Sequence, residues 1–404
     1  MWGGQFVSIT GSQMQLVAIN WHVYLLTKSA VALGLVGLAR VVPIIVCSLV
    51  GGVVADAVDR KRLMLATQSL MLVSAATLAF MTAQGLRQVW PIFVLTALSS
   101  AATAFDNPAR QALLPSLVPV RDFPNAVSLG FLSFQMAMVG GPVLAGLVLA
   151  TRGPALVYGV NAASFLAVIV AVLLIRASGR TSSSGDSGVE GERGGALSYA
   201  SLVEGLRFVW RTPIIVQTMT LDFVATFFAS ATALLPIFAA EILRVGEHGY
   251  GLLAAAPAMG AVLAGLLLAR RADWQKPGRW VILSVGIYGA STLLFGLSRI
   301  FWFSFAMLAL SGAADTVSTI IRQTIRQLIT PDRLRGRMTS VNMIFFMGGP
   351  QLGEFEAGLL ARMLGAQMSV VIGGVGCLLA VLLALFKAEE LLRYKLPRQE
   401  NDER

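Results

Sequence analysis

The sequence predicts an all-α membrane protein with twelve transmembrane helices, arranged as two pseudo-symmetric six-helix bundles. Three observations carry this prediction. The chain of 404 residues is 56% apolar and only 13% charged, and its mean hydropathy is +0.74, well outside the range of soluble domains. Apolar runs of about 20 residues recur along it, each long enough to cross ~30 Å of hydrocarbon as a helix. The third observation is an internal repeat at an offset of 212. Arg110, Gln111, Pro119, Arg121, Gly141, Ala145, Gly146 and Leu147 recur as Arg322, Gln323, Pro331, Arg333, Gly353, Ala357, Gly358 and Leu359. Identities that hold at one ungapped offset mean two similar halves. In an apolar protein, two like halves point to a transporter with its substrate site between them.

In chain order, spans are expected near 5–26, 31–55, 63–84, 89–110, 124–150 and 154–175, then 213–240, 249–269, 279–298, 301–321, 338–361 and 367–387. A backbone in lipid must satisfy its own hydrogen bonds, and long Leu, Val and Ala runs do so as helices. The polar stretch from Ser178 to Gly195 reads as a flexible linker. After it, Leu197, Leu202, Leu206 and Val209 fit a short amphipathic helix lying on the membrane surface. The expected organisation is therefore an N-terminal bundle at 1–176, a cytoplasmic linker with its helix at 177–212, a C-terminal bundle at 213–388 and a charged, frayed tail at 389–404.

The net charge of +10 is a topology signal and not a nucleic-acid footprint. Lys28, Arg87, Arg152, Arg244, Arg299 and Arg362 fall one to each alternate loop, and Arg40 lies inside span two. All other Lys and Arg fall on the opposite side, which is the cytoplasmic one by the positive-inside rule. Both termini are then cytoplasmic in a multi-pass protein of the cell (inner or plasma) membrane. The Met1-Trp2-Gly3-Gly4 start contains no signal-peptide n-region or cleavage site, and the natural start is expected upstream. Cys47 and Cys377 both lie in apolar runs, so no disulfide framework is implied. His22 and His248 lie far apart in sequence and give no metal signal. No metal and no cofactor is expected.

Between spans two and three stands Gly52-Val-Val-Ala-Asp56-Ala-Val-Asp59-Arg60-Lys61-Arg62. This resembles the signature loop of the major facilitator superfamily, G-x-x-x-D-[RK]-x-G-[RK]-x-[RK]. Gly52, Asp56, Arg60 and Arg62 match it, whereas Ala57 and Asp59 replace its basic residue and its glycine. Physically the stretch reads as a latch. Gly52 permits close helix approach, while Asp56 and the arginines can form charge-assisted bonds that hold one face shut. Asp106 and Arg110, at the end of span four, join the latch candidates. The plainer alternative is a set of topogenic arginines beside a stray Asp. The equivalent stretch of the second half, Gly265 to Arg271, lacks the acidic residue.

In span five, Gly141-Pro142-Val-Leu-Ala145-Gly146 resembles the G-P-x-x-G-G element of antiporters in that superfamily. The proline frees a carbonyl and bends the helix, and the small residues permit tight packing. The stretch from Phe105 to Pro119, followed by Asn125-Ala126, is similar to the enterobactin-exporter and macrolide-efflux branch, as is Gly353-Glu354-Phe-Glu356-Ala-Gly358. The resemblance covers essentially the whole chain. It implies a secondary active transporter that exports an amphipathic small molecule, a drug or siderophore, by proton antiport through alternating access. Its partners would be that substrate, protons and the bilayer, with the chain acting as a monomer and without nucleic acid. A lysophospholipid- or other lipid-translocating member without proton coupling would show much the same motifs and stands as the alternative. An intramembrane enzyme is disfavoured, because neither histidine is placed as a base and no nucleophile pair faces another.

Ionisable groups within a span cost about 2.5–3.5 kcal/mol each on insertion scales, so each needs a reason. They are Arg40, Asp106, Asp222, Glu241, Asp315, Glu354 and Glu356. Asp106 and Glu241 sit near span ends and can reach headgroups. Spans seven and ten line the cavity in the superfamily this chain resembles, which places Asp222 and Asp315 toward water. Glu354 and Glu356 lie about 160° apart around their helix, so one can face a cavity while the other packs. A carboxyl that is neutral when occluded and ionised when wet is what a proton carrier requires. One proton moved through ~100 mV supplies about 2.3 kcal/mol, a roughly 40-fold substrate gradient. The proton-coupling candidates are Glu354 or Glu356 first, then Asp222 and Asp315, with Arg40 as a partner across the cavity. Gln13, Asn20, Trp21, Gln135 and Asn342 are the polar or amphipathic candidates for substrate contact. Alternatively they tie neighbouring helices together at ~0.6 kcal/mol each. Phe227, Phe228, Phe345, Phe346 and Met347 would suit an adaptable apolar pocket or contact with lipid.

Overall fold

The computed structural model describes residues 2–113, 118–174, 199–230, 232–268, 276–331 and 334–394. Among them every regular element is helical. The first half contributes α1 (Trp2–Thr27), α2 (Ala30–Ala57), α3 (Arg60–Ala83), α4 (Trp90–Leu113), α5 (Phe123–Arg152) and α6 (Pro154–Leu174). The predicted amphipathic helix is α7 (Tyr199–Arg211), and α8 (Pro213–Phe228) follows it. A 3-10 turn at Thr232–Leu234, the single turn α9 (Leu235–Ile237) and a π turn at Phe238–Ile242 come next. The chain continues with α10 (Gly246–Leu268), α11 (Pro277–Leu297), α12 (Phe301–Ile329), α13 (Arg335–Leu364), α14 (Ala366–Lys387) and the short α15 (Glu389–Arg393). The predicted linker from Ser178 to Gly195 and the tail beyond Tyr394 lie outside the described residues.

Nine helices in the described part are long and apolar enough to cross a membrane. With α1, α4 and α13, at 26, 24 and 30 residues, they make up the twelve long segments. The duplication extends to the helix boundaries. Shifted by 212, α5 falls residue for residue on α13, and α6 begins where α14 begins. The single residues joining these pairs, Gly153 and Gly365, are also 212 apart, and both hold a positive φ, 73° and 87°. A left-handed φ turns the chain within one residue, and glycine takes it without the Cβ clash other residues suffer.

The chain divides into two compact units. One comprises residues 1–201 with 232–255 and 354–363; the other comprises 202–231, 256–353 and 364–404. In the first unit α3 packs on α4 and α6, α2 on α4, and α1 on α5 and α6. Apolar clusters around Met64, Ala109 and Val172, and around Met71, Ala102 and Phe165, fill the α3–α4–α6 contact. Asn161 donates to Gln15 at 2.6 Å, and His22 Nδ1 lies 3.2 Å from the Tyr158 hydroxyl, so buried polar groups on α1 find partners on α6. In the second unit α11 packs on α12 and α14, and α8 on α14. Its core gathers Ile215, Val281, Ile325 and Cys377, and α7 and α15 join through Val209 and Leu391.

Two helix boundaries depart from the expectation. Span ten was expected to stop at 321, yet α12 runs on to Ile329 and stops at Thr330, which is extended ahead of Pro331 (φ −83°, ψ 121°). A residue before proline is disfavoured in the α region, and no Gly or Pro stands between 321 and 330 to end the helix sooner. Arg322 and Arg326 are therefore buried helix residues and not loop cations. Span seven was expected to be unbroken but ends at Phe228. The carbonyl of Ala229 accepts from the Tyr288 hydroxyl at 3.3 Å, and the Ser230 hydroxyl donates to the Pro350 carbonyl at 3.0 Å.

Candidate functional site

The second unit holds a cluster of four ionisable side chains at the meeting of α8 and α12. Arg322 Nη2 lies 2.6 Å from Asp222 Oδ1 on α8 and 3.8 Å from Asp315 Oδ1 two turns earlier on α12. The Arg322 and Asp222 side chains are 2% and 7% exposed, whereas Asp315 is 43% exposed. Arg322 also donates to the Thr319 hydroxyl at 2.9 Å. Arg326, one turn further on and also buried, donates to the side-chain oxygen of Asn342 on α13. Two guanidiniums thus face two carboxylates, and the charges balance. One carboxylate is dry and tightly held; the other, midway along α12, is partly exposed. Beside Asp222, Phe223 stacks on Phe227 and meets Phe345 edge-on, each at 6.0 Å between centroids. The side chains of Phe346 and Met347 lie outside the described residues.

The first unit places Glu354 of α13 against the N-terminal half of α2. Its Oε1 accepts from the Thr232 hydroxyl at 2.9 Å, and the Arg40 guanidinium is within electrostatic reach of it. The contact is close because α2 presents Gly34: a Cβ there would lie 2.8 Å from the Glu354 carbonyl oxygen. Glu354 stands 212 residues after Pro142, so the second half carries a carboxyl where the first half bends its helix. Glu356, two residues on, is partly buried and points about 160° away.

Of the latch candidates, Asp106 and Arg110 form an ion pair one helical turn apart. Asp106 is 2% exposed, and its Oδ1 also accepts from Thr67 at 2.9 Å and Gln68 at 3.0 Å, both on α3. Asp59, the departure from the signature glycine, is the N-cap of α3 and accepts from the Arg62 backbone N–H at 3.1 Å. Capping of this kind satisfies one of the orphan donors of a helix start. Gly52 and Asp56 fall in the last turns of α2, where the side chains lie outside the described residues; Arg60 and Arg62 open α3.

The antiporter-like element forms a backbone contact. Gly146 of α5 meets Gly251 of α10 so closely that a Cβ on Gly146 would lie 2.8 Å from the Gly251 Cα. The Pro142 carbonyl oxygen would lie 2.6 Å from a Cβ on Gly251, and Ala145 is fully buried beside them. At the neighbouring face Trp21 stacks on Tyr250 with centroids 5.2 Å apart. The Tyr250 hydroxyl donates to the Val17 carbonyl at 3.2 Å and bonds to Asn20. Tyr24 donates to Glu241 at 2.8 Å, while Lys28 lies 4.1 Å over the Tyr24 ring. Gln13 packs under Gly141, 2.5 Å from where a Cβ would stand, and Gln135 is partly buried on α5.

The structure therefore brings Asp222 and Asp315 together and sets Arg40 near Glu354. It ties Asn20 and Trp21 to Tyr250, and Asn342 to Arg326. Sequence reasoning missed Arg322 and Arg326. The available signal was the spacing of Ser318, Arg322 and Arg326, four residues apart on one helical row, in a stretch with no helix breaker. Among the described residues, no group of three His, Cys, Asp or Glu side chains stands ready for a metal ion.

Comparison with known proteins gives one consistent answer. The enterobactin exporter EntS of Shigella boydii serotype 18 is 25% identical over 391 residues, covering 97% of this chain and 91% of that protein. EntS of Escherichia coli strain 55989 matches to the same extent. Among solved structures, a bacterial homologue of the human lysosomal transporter Spinster superposes with a TM-score of 0.75 at 13% identity, covering 98% of this chain and 97% of that one. The nucleoside transporter NupG gives 0.71 at 15% identity, with 98% of each chain covered. The family model described as "Transmembrane secretion effector" matches residues 1–403. With twelve long helices, a duplicated architecture and this match along its length, the chain belongs to the transmembrane secretion effector family of major facilitator superfamily transporters.

Proposed function

We propose that this transporter exports an amphipathic small molecule, a siderophore or drug, in exchange for protons. Two six-helix halves, 1–176 and 213–388, would alternate access with both termini in the cytoplasm. The substrate class rests on the relation to the enterobactin exporters. The coupling rests on one observation above the others: Arg322 is shared between a buried carboxylate, Asp222, and a half-exposed one, Asp315.

That arrangement can do chemical work. Separating Arg322 from Asp222 in a dry interior leaves an uncompensated charge, at a cost of about 3–5 kcal/mol. Asp315, the more exposed of the two carboxylates, would be the one to exchange protons, and it sets how much negative charge Arg322 sees. When Asp315 is charged, Arg322 has two anions to bridge; when it is neutral, Asp222 alone holds the guanidinium. A proton at Asp315 thus changes the free energy of moving α8 against α12, and a ligand biases a two-state element only through such a difference. Glu354, bonded to Thr232 and near Arg40, is a second carboxyl on which protonation can act. The contacts of Gly146 with Gly251, Trp21 with Tyr250 and Tyr24 with Glu241 form the closed side and part when it opens. The Asp106–Arg110 pair, tied to Thr67 and Gln68, serves the latch at the basic side.

Purified protein in proteoliposomes under an imposed pH gradient tests this reading, with enterobactin and a panel of lipophilic dyes as substrates. Asp315→Asn is expected to abolish gradient-driven accumulation while keeping downhill exchange of preloaded substrate. Full gradient-driven accumulation by Asp315→Asn would overturn the coupling role. Movement of labelled lysophospholipid without a gradient, and of nothing else, would favour the lipid-translocating alternative.

A further inference from the structure

A cavity of about 820 Å³ lies in the second unit between α10, α11 and α12, lined on α12 by Ala309, Leu310, Ala313, Ala314 and Val317. That falls within the ~300–1,000 Å³ common for ligand pockets. It exists because of how α10 and α12 cross. Their backbones touch at two glycines: a Cβ on Gly260 would lie 1.7 Å from the Ala309 carbonyl oxygen, and one on Gly312 would lie 2.0 Å from that of Pro257. Beyond the crossing the facing residues stay small, with Ala264 on one helix and Ala313 on the other, and the space is left unfilled. Leu263, Leu267 and Leu283 line it and are each more than half exposed. The groove therefore opens outward, toward hydrocarbon.

One end of the groove is basic. On α11 the lining residues form two rows, Trp280 with Ser284 and Leu283 with Ile287. Residues four apart share a helix face, so Arg279 continues the second row by one turn, and Lys276 stands just ahead of the helix as its N-cap. Both are exposed. Trp280, beside them, is the type of side chain that settles at the headgroup level. An apolar slot facing hydrocarbon, ending in two cations at the membrane surface, matches one ligand chemistry. Basic pockets between transmembrane helices hold anionic lipid headgroups.

We infer that this groove is a binding site for one anionic phospholipid, its acyl chain lying between α10, α11 and α12 and its phosphate at Lys276 and Arg279. No residue of the ionisable cluster lines the groove, and lipid binding is measured without transport, so the proposal stands or falls independently of the transport reading. Lipid binding to the purified full-length protein can be counted by native mass spectrometry. The probes are phosphatidylglycerol and phosphatidylcholine with identical chains, and glycerol phosphate as a headgroup without chains. Wild type is expected to retain one phosphatidylglycerol at least 10-fold more tightly than phosphatidylcholine, and glycerol phosphate hardly at all. Each basic residue near the surface accounts for roughly 5-fold, so Lys276→Gln with Arg279→Gln should weaken phosphatidylglycerol roughly 30-fold and leave phosphatidylcholine unchanged. Ala313→Trp, which fills the slot without altering charge, should weaken both lipids. Lys276→Arg with Arg279→Lys should bind like wild type, which separates loss of the site from loss of the fold. Equal affinity of wild type for the two lipids would overturn the proposal. So would unchanged binding in the double Gln variant or in Ala313→Trp, or glycerol phosphate binding as tightly as the lipid.

Discussion

Arg110 and Arg322 occupy equivalent places in the two halves, 212 residues apart, but bind carboxylates in different ways. Arg110 pairs with Asp106 on its own helix. The counterpart of Asp106 is Ser318, and Arg322 instead reaches across to Asp222 on α8 at 2.6 Å. An ion pair within one helix moves as a body with it, whereas a pair between two helices must stretch when they slide. With Ser318 in place of an acidic residue and Asp222 in place of the first half's Thr10, the second half carries an interhelical tie where the first carries a local clamp.

The tie predicts strong coupling between its members. Arg322→Gln or Asp222→Asn alone should each destabilise the purified protein by about 3–5 kcal/mol, because either leaves its buried partner unpaired. The double variant should lose clearly less than the sum. Thermal melts of the four proteins give the cycle, and strictly additive losses would show that the two side chains do not act on each other.

Close approach at Gly146 predicts a steric block. Gly146→Val places atoms where the Gly251 Cα already stands, and overpacking of this kind costs about 1–3 kcal/mol. Transport should fall with near-normal membrane expression, whereas Gly140→Ala on the same helix, where a Cβ meets nothing within 4 Å, should transport like wild type. Equal activity of the two variants would rule out a functional contact.

Glu354 and Glu356 should separate. Only Glu354 is bonded to Thr232 and close to Arg40, so Glu354→Gln should flatten the pH dependence of transport while Glu356→Gln preserves it. The measurement is initial efflux rate across a pH series in proteoliposomes. Identical profiles for both variants and wild type would remove Glu354 from the coupling machinery.

The Asp106 network predicts a graded series. Gln68→Leu removes one charge-assisted bond to a buried carboxylate, worth about 1.5–3 kcal/mol. Asp106→Ala removes the acceptor for Thr67, Gln68 and Arg110 together and should lower the melting temperature further. A Gln68→Leu variant less stable than Asp106→Ala would contradict the bonding pattern.

Much of the fold was legible in the sequence, for a physical reason. In hydrocarbon a chain must form helices of bilayer length, so apolar runs and their breakers mark each span closely. The offset of 212, found in a few side chains, reappears in the matched bounds of α5 and α13 and in the paired turns at Gly153 and Gly365. The same logic misled at the end of α12. Charged residues read as a loop there, although only Pro331 could end the helix, and two arginines entered the interior unseen. At Asp59 the residue that replaces the motif's glycine proved to be a helix cap.

What the sequence determined by itself was the membrane class, the number of long helical segments and which carboxylates lie within them. Those follow from local chemistry, the cost of exposing polar groups to lipid, and need no knowledge of neighbours. Tertiary structure alone decided the partners: Asp222 with Arg322, 100 residues on, and Glu354 with Thr232. Pairing depends on which helix faces meet, and packing sets that through small residues such as Gly34, Gly146 and Gly260, whose neighbours no local pattern reveals.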